Sequence, residues 1–130
     1  MIAPDVRRAL AMSAPERYRY FLSHAPQTRR VWGLGDENGW LAVRDASGCE
    51  WFPIWSKRDL AEACTRGRWR HCTPSEIGIK DFVRRWLPVA IQRRQGFLVF
   101  PTPASAGIGI SGHEMHLALR AHYQSLRSGR

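Results

Sequence analysis

A short arginine-rich segment offers the clearest chemistry in the sequence. Residues 66–71 read Arg-Gly-Arg-Trp-Arg-His. Arginine side chains bind phosphate oxygens, and a tryptophan between them can stack on a nucleobase. The same pattern is typical of a solvated loop in which the tryptophan fills the core and the arginines point to water. Both interpretations stay open. The candidate residues of an anion- or partner-binding site are Arg66, Arg68, Trp69 and Arg70.

Tryptophans on predicted strands are the second candidate. The chain has six tryptophans, and four of them fall between residues 32 and 55. Alternation along a strand sends Trp51 and Trp55 to one face and Phe52 and Ile54 to the other. An exposed tryptophan face would be a binding platform, because tryptophan is enriched at interaction hot spots. Packing into the core is the alternative. The aromatic surface candidates are Trp51 and Trp55.

The histidines and cysteines do not form a recognisable site. His113 and His116 lie one helical turn apart, but no nearby cysteine or carboxylate pattern completes a metal ligand set. The spacing of Cys64, His71 and Cys72 matches neither a zinc ribbon nor a redox motif. No Ser-His-Asp or Cys-His order stands out. We therefore expect no catalytic residue, no metal site and no cofactor.

The charge of the chain predicts anionic partners. Twenty basic residues against 11 acidic ones give a net charge of +9, and only Lys57 and Lys80 are lysines. Such a surface attracts nucleic acid, phosphorylated ligands, anionic lipid or an acidic protein. A compositional bias toward arginine with screened charges is the alternative. No apolar run reaches the ~20 residues of a membrane span. Three cysteines do not make a disulfide framework, so we expect a cytoplasmic protein.

Strand signals are grouped in two regions. Asp36-Glu37-Asn38-Gly39 contains Asn-Gly, the strongest short hairpin signal, and lies between predicted strands at 31–34 and 40–43. A third strand at 49–55 completes an antiparallel meander, in which Pro53 indicates a bulge or an edge because it cannot donate to a ladder. Two more strands are predicted at 96–100 and 107–110.

Caps and prolines mark the predicted helices. A serine followed three residues later by glutamate forms a capping box at a helix start. Glycine can end a helix in the left-handed conformation, and proline breaks or kinks one. The predicted starts are the capping boxes Ser13–Glu16 and Ser111–Glu114, a cap at Ser56 and residues 79–80, and the predicted ends or breaks are Gly67, Pro26 and Pro88.

The order of these elements is α-βββ-α-α-ββ-α. Strands grouped together, rather than alternating with helices, favour the α+β class. We expect a mixed, largely antiparallel sheet of about five strands flanked by helices. Residues 1–12 are predicted to be a loosely ordered N-terminal arm, 13–127 a single domain, and 128–130 a frayed tail.

An ordered set of fragments resembles a bacterial family known only as domain of unknown function DUF2750. The fragments are Glu16-Arg17-Tyr18-x-Tyr20-Phe21-Leu22, Val31-Trp32-Gly33-Leu34, Gly39-Trp40, Pro53-Ile54-Trp55, Phe82-x-x-x-Trp86-Leu87-Pro88 and Phe100-Pro101-Thr102-Pro103. The resemblance runs from about Glu16 to Tyr123. It implies no catalytic residues, because the family has no assigned activity.

A wider similarity is to SseB-like domains. The strand and helix of Phe52–Cys64 look like the corresponding step in those domains, as does the closing strand, proline bend, strand and capped helix. This similarity implies a mixed sheet flanked by helices. Some members of the wider group are linked to toxin immunity, where a protein binds and neutralises a partner. The arginine-rich segment at 66–70 is not a feature of either resemblance.

These observations predict a small bacterial cytosolic protein that acts as a non-enzymatic protein-binding module, of an immunity or adaptor kind. The alternative is a basic domain that binds anions or nucleic acid through Arg66–Arg70. One contiguous basic face would favour nucleic acid, whereas scattered arginines would not. No membrane partner is expected.

Overall fold

The computed structural model describes residues 3–128, with side chains from residue 3 to residue 122. Residues 1–2 of the predicted arm and 129–130 of the predicted tail lie outside this range. The helices are α1 Pro4–Leu10, α2 Ala14–Thr28, α3 Arg58–Glu62, α4 Ile79–Asp81, α5 Leu87–Arg93 and α6 Gly112–Ser128. The strands are β1 Arg30–Asp36, β2 Gly39–Trp40, β3 Val43–Arg44, β4 Glu50–Ile54, β5 Thr73–Gly78, β6 Gly96–Val99 and β7 Ile108–Ser111.

The strands form two sheets between the helices. One sheet has the order β2-β1-β5, and all its pairs are antiparallel. The other has the order β3-β4-β6-β7, in which only β4 and β6 run parallel. The α+β class and the mixed, largely antiparallel pairing are confirmed, but within the described residues seven strands in two sheets replace the predicted sheet of about five strands. The structure has two further elements that the sequence did not predict. Helix α1 lies inside the predicted arm and buries Ala9, and strand β5 precedes α4.

The predicted three-strand meander is wrong, because the chain changes sheets within it. β2 pairs with β1, whereas β3 pairs with β4 in the other sheet. Pro53 is central to this arrangement. The β3 ladder stops at Trp51, and pairing on that side of the strand resumes only at Trp55, which bridges to Trp32 of β1. Pro53 therefore lies at a local edge between two pairings, where a missing backbone donor is tolerated.

Helix α2 continues through Pro26 to Thr28, so the predicted end at Pro26 is wrong. A proline in a helix removes one backbone hydrogen bond. Pro26 lies in the last turn, where only one such bond is lost, and the residue is buried against the core. The helix ends at Arg29, which adopts the left-handed conformation with φ 59°.

The predicted cap of α3 is also wrong. Lys57, rather than Ser56, is the N-cap residue, and Ser56 is fully buried. The Ser56 hydroxyl has no hydrogen-bond partner among the described residues. At its other end α3 tightens into a 3-10 turn over Ala63–Arg66, and Gly67 follows with φ −120° instead of a left-handed φ. The two capping boxes, at Ser13 and Ser111, are confirmed.

The kink predicted at Pro88 takes the form of a π-helical turn. Residues Phe82–Trp86 make this turn between α4 and α5, and Pro88 occupies the first turn of α5. Pro88 has no N–H to donate, so the helical hydrogen-bond ladder is interrupted directly after the wider turn. Phe82 and Leu87 are fully buried, and Arg84 and Arg85 are exposed on the opposite side, as their spacing predicts.

A buried arginine ties α2 to the segment between β6 and β7. Arg17 is 4% exposed. Its Nε donates to the Phe100 carbonyl at 2.9 Å, one terminal nitrogen to the Met12 carbonyl at 2.7 Å, and the other to the Ser105 hydroxyl at 2.7 Å. Arg17 pairs with no carboxylate among the described residues. Burial lowers the pKa of Arg17, yet a guanidinium stays protonated at neutral pH.

Replacing this arginine should destabilise the fold. Arg17→Met keeps the aliphatic bulk but leaves the Phe100 carbonyl and the Ser105 hydroxyl without their donor. We expect a loss of about 2–4 kcal/mol, because an unsatisfied buried polar group costs about 1–3 kcal/mol. Urea unfolding followed by tryptophan fluorescence measures it. Arg19→Met, an exposed change on the same helix, should stay within about 0.5 kcal/mol. Equal losses in the two variants would contradict the role given to Arg17.

An exposed carboxylate organises the turn between β3 and β4. Asp45 accepts hydrogen bonds from the Ser47 hydroxyl, the Trp51 indole and the backbone N–H groups of Ser47 and Cys49. These donors, with the Ser47 hydroxyl first, lower the pKa of Asp45 from 3.8 to about 2. Asp45 therefore stabilises the fold at every pH above its unfolded value, and this contribution is lost as the pH falls through about 2.

The acid unfolding curve tests this turn. Asp45→Asn should reduce the fall in unfolding free energy between about pH 4 and pH 2, because it removes the titrating group. Ser47→Ala should move the fall to higher pH, since it removes the donor that lowers the Asp45 pKa most. Urea unfolding at a series of pH values measures both effects. Parallel curves for the wild type and Asp45→Asn would show that the turn does not hold this carboxylate.

Candidate functional site

The arginine-rich segment borders a cleft. Arg66 ends the 3-10 turn after α3, and residues 66–69 together with residues 102–106 line a cleft of about 440 Å³. Arg66, Arg68 and Arg70 are exposed, and the first two line the cleft. We call this space the arginine cleft. The structure therefore places Arg66 and Arg68 at one site, and Arg70 outside its lining.

Trp69 faces inward from this segment. It is 9% exposed, and its ring packs edge-on against Trp55 with centroids 6.4 Å apart. The Arg68 guanidinium lies 4.6 Å from the centre of the Trp69 ring. A stacked nucleobase would have to compete with Arg68 for that ring. Trp69 thus supports the segment from the core side, and the exposed chemistry belongs to the arginines.

The opposite wall of the arginine cleft is a tight turn. Thr102 and Ser105 exchange two backbone hydrogen bonds, at 2.8 and 3.2 Å. The Pro101 carbonyl accepts from the Trp55 indole at 2.9 Å and from the Cys64 thiol at 3.4 Å. Burial raises the pKa of the Cys64 thiol to about 12, so it stays protonated and unreactive at neutral pH. The wall is therefore rigid, and Cys64 is a core residue.

The charge of the arginine cleft is uncompensated within the described residues. Neither Arg66 nor Arg68 forms an ion pair with a described carboxylate. The Thr102 and Ser105 side chains line the same cleft and carry hydroxyl groups. Two guanidinium groups with nearby hydroxyls are chemically suited to hold an anion such as a phosphate.

A second surface surrounds helix α5. One cleft of about 350 Å³ is lined by aromatic and apolar side chains from β4, the π-helical turn, α5 and β6. A second cleft of about 230 Å³ is lined by Trp51 and, among others, by residues of α5. Val89 and Ile91 are 41% and 40% exposed, and each lines one of these clefts. Arginines line both clefts. We define the α5 surface as Trp51, Phe52, Arg85, Trp86, Val89, Ile91, Arg93 and Arg94.

The two aromatic surface candidates have different environments. Trp55 is 0% exposed, so its assignment to the surface is wrong. Trp51 is half-buried and lines a cleft of the α5 surface. Its ring lies so close to Gly96 that an added Cβ would be 2.6 Å from it, and its indole donates to Asp45 at 2.9 Å. Trp51 is therefore held in place by its neighbours while part of its side chain remains accessible to solvent.

The structure brings Asp36 to His71 and Cys72, two residues that the sequence predicts as a site neither with Cys64 nor with Asp36. Asp36, His71 and Cys72 each offer a donor atom, and these atoms lie within 4.8 Å of one another. The pairing of Gly35 with Thr73 ends the β1–β5 ladder, so Asp36 and Cys72 are the next positions along it. Burial, and then the charge of Asp36, raise the pKa of the Cys72 thiol. The spacing in sequence gives no signal for a group that strand pairing alone assembles.

His113 and His116 do not join a comparable group within the described residues. His113 is exposed in the first turn of α6, and Glu114 beside it serves the capping box with Ser111. No helix of the described residues is both long enough and apolar enough to cross a membrane.

Comparison with known proteins gives one curated relative and one family. The chain is 35% identical over 77 residues to the mouse (Mus musculus) protein BLOC-2 complex member HPS6, a match that covers 59% of this chain and 9% of that protein. No solved structure matches the chain significantly. The family described as Protein of unknown function (DUF2750) matches residues 18–119. The chain therefore belongs to the DUF2750 family.

Proposed function

We propose that this protein is a non-enzymatic protein-binding module that docks its partner on the α5 surface. The observation that carries the proposal is the exposure of Val89 and Ile91 beside two clefts with aromatic linings. Protein interfaces are enriched in aromatic residues and arginine, and their hot spots are aromatic and arginine anchors in pockets. The α5 surface has both kinds of residue.

The partner is an acidic segment with apolar anchors. Arg93 and Arg94 are exposed and pair with no carboxylate among the described residues. Arg85 lies 3.8 Å from Asp81 at the far side of the same surface. Apolar side chains of the partner would enter the two clefts, and its carboxylates would reach the arginines at their rims. Complementary charge of this kind speeds association and fixes register.

The smaller cleft of the α5 surface is below the usual size of a small-molecule site, and the larger cleft lies at the low end of that range. Small-molecule sites are usually about 300–1,000 Å³ and enclose most of their ligand. The two clefts of the α5 surface measure about 350 and 230 Å³. Cys64 and Asp45 have strongly shifted pKa values, and neither residue lines a cleft of the α5 surface. The surface thus has the features of a docking site rather than those of a catalytic pocket.

The cellular setting is part of the same proposal. Cys49, Cys64 and Cys72 are all free thiols, and Cys49 is exposed, which suits a reducing compartment such as a bacterial cytosol. An immunity-like or adaptor role needs only a binding surface of the kind described. The mouse relative is by name a complex member, and the match spans 9% of that protein.

Peptide selection tests the docking surface. From a displayed library, the wild-type protein should enrich peptides that combine apolar anchors with Asp or Glu. Val89→Asp and Arg93→Glu should each weaken binding of an enriched peptide at least about tenfold, a loss of about 1.4 kcal/mol. Fluorescence polarisation measures the affinity. Arg19→Glu, an exposed charge reversal on α2, is the matched control and should change it little.

Two results would contradict this proposal. One is an enriched peptide whose affinity stays unchanged in both α5 variants. The other is equal binding of the peptide after its carboxylates are replaced by amides, because the charge complementarity with Arg93 and Arg94 would then have no role. Circular dichroism of each variant establishes that the fold is retained.

A second candidate function is anion binding in the arginine cleft. Arg66 and Arg68 line the cleft without a described carboxylate partner, and Thr102 and Ser105 add hydroxyl groups. The arginines of the α5 surface line different clefts. The described clefts thus divide the arginines between sites, which favours a local anion site over an extended nucleic-acid interface.

Titration with labelled single-stranded DNA and RNA across salt concentrations tests this second function. We expect Kd values above ~1 μM at physiological salt that rise steeply with added salt, because each neutralised phosphate releases counterions. The double variant Arg66→Gln/Arg68→Gln should lower the affinity and the salt slope, whereas Arg93→Gln/Arg94→Gln should change both less. Nanomolar, sequence-dependent binding would contradict the expectation and make nucleic acid the principal partner.

A further inference from the structure

We propose that Asp36, His71 and Cys72 form a binding site for a thiophilic divalent cation of the zinc class. The proposal rests on the approach of three chemically different donor atoms to within 4.8 Å of one another. Asp36 is the last residue of β1, and His71 and Cys72 immediately precede β5. The site is distinct from the α5 surface and from the lining of the arginine cleft.

The backbone already fixes the positions of the three ligands. β1 and β5 pair over six successive residue pairs that end at Gly35 and Thr73. Ligand atoms around a tetrahedral zinc ion lie roughly 3.5 Å apart, given bonds of about 2.0–2.3 Å. The donor atoms therefore need to approach by only about an ångström. His71 is exposed, so rotation of its side chain can supply this movement while the buried Cys72 stays in place.

Suitable donor atoms remain free at each residue. The Oδ1 atom of Asp36 accepts from the Asn38 N–H at 2.8 Å, which leaves Oδ2 facing His71 Nε2 at 3.9 Å. Within the described residues, neither His71 nor Cys72 has a side-chain hydrogen bond. The Asp36 carboxylate is thus held by its turn, and one oxygen stays available to a cation.

The ligand set selects the kind of metal. A thiolate and an imidazole suit zinc and its transition-metal neighbours, whereas magnesium and calcium require oxygen ligands. On binding, the Cys72 thiol would release its proton to solvent as the sulfur–metal bond forms. Three protein ligands leave a fourth tetrahedral position for water or for a group from a partner, as in open zinc sites.

Cobalt and zinc titrations of the reduced, chelator-treated full chain test the site. Co²⁺ alone should bind at one equivalent and give the thiolate-to-cobalt charge-transfer band in the near ultraviolet, and Zn²⁺ should remove that band. Cys72→Ser should abolish the band, and His71→Gln and Asp36→Asn should each weaken binding at least about tenfold, as loss of even an outer-shell partner can do. Zn²⁺ should also raise the Tm, and a chelator should reverse the rise.

Matched variants separate this site from other metal-binding groups. Cys49→Ser removes the exposed thiol, and His113→Gln removes a histidine on α6; both should retain the band and the affinity. Asp36→Asn keeps the acceptor for the Asn38 N–H, so it tests ligation even where Cys72→Ser disturbs the fold. The proposal is overturned if Co²⁺ gives no thiolate band, if the band follows Cys49, or if Asp36→Asn and His71→Gln bind with wild-type affinity.

Discussion

Trp55 holds the two sheets and the segment after β6 in one arrangement. Its backbone N–H and carbonyl exchange hydrogen bonds with Trp32 at 2.8 Å each, which joins the end of β4 to β1. Its indole donates to the Pro101 carbonyl, and its ring supports Trp69. Because the residue is fully buried, each of these bonds forms away from water, where an unpaired partner is costly. The position of the arginine cleft follows from this junction, because Trp69 belongs to its lining.

Arg17 completes the same junction from the helical side. Its guanidinium binds the carbonyl of Phe100 and the hydroxyl of Ser105, at either end of the turn that Trp55 holds at Pro101. A buried cation without a carboxylate partner is unusual, and neutral acceptors must compensate for its lost hydration. The turn therefore presents its hydroxyl side chains to the arginine cleft on a fixed backbone. A rigid wall opposite exposed arginines suits selection of an anion by shape as well as by charge.

The sequence predicts local features of this protein well and long-range ones poorly. Both capping boxes and the Asn38-Gly39 turn depend on residues a few positions apart, so the sequence alone locates them. The meander fails because Pro53 ends one ladder and Trp55 begins a bridge to another sheet, a choice set by distant strands. For the same reason, strand alternation predicts that Trp55 shares a face with Trp51, whereas Trp55 lies after the end of β4 and is buried in the core. Asp36 and Cys72 meet only through the β1–β5 register.

The π-helical turn before α5 links a local sequence signal to the proposed docking surface. One extra residue in a helical turn rotates all later side chains around the helix axis, and such turns are frequent at functional sites. In this protein the Trp86 ring, at the end of the turn, packs against the rings of Trp40 and Phe52, with centroid distances of 4.4 and 6.1 Å. Val89 and Ile91, which follow in α5, are exposed to solvent. A regular α-helix without the extra residue would rotate the side chains of α5 by about 100° around the helix axis. The π-helical turn therefore accounts both for the packing of Trp86 and for the exposure of Val89 and Ile91.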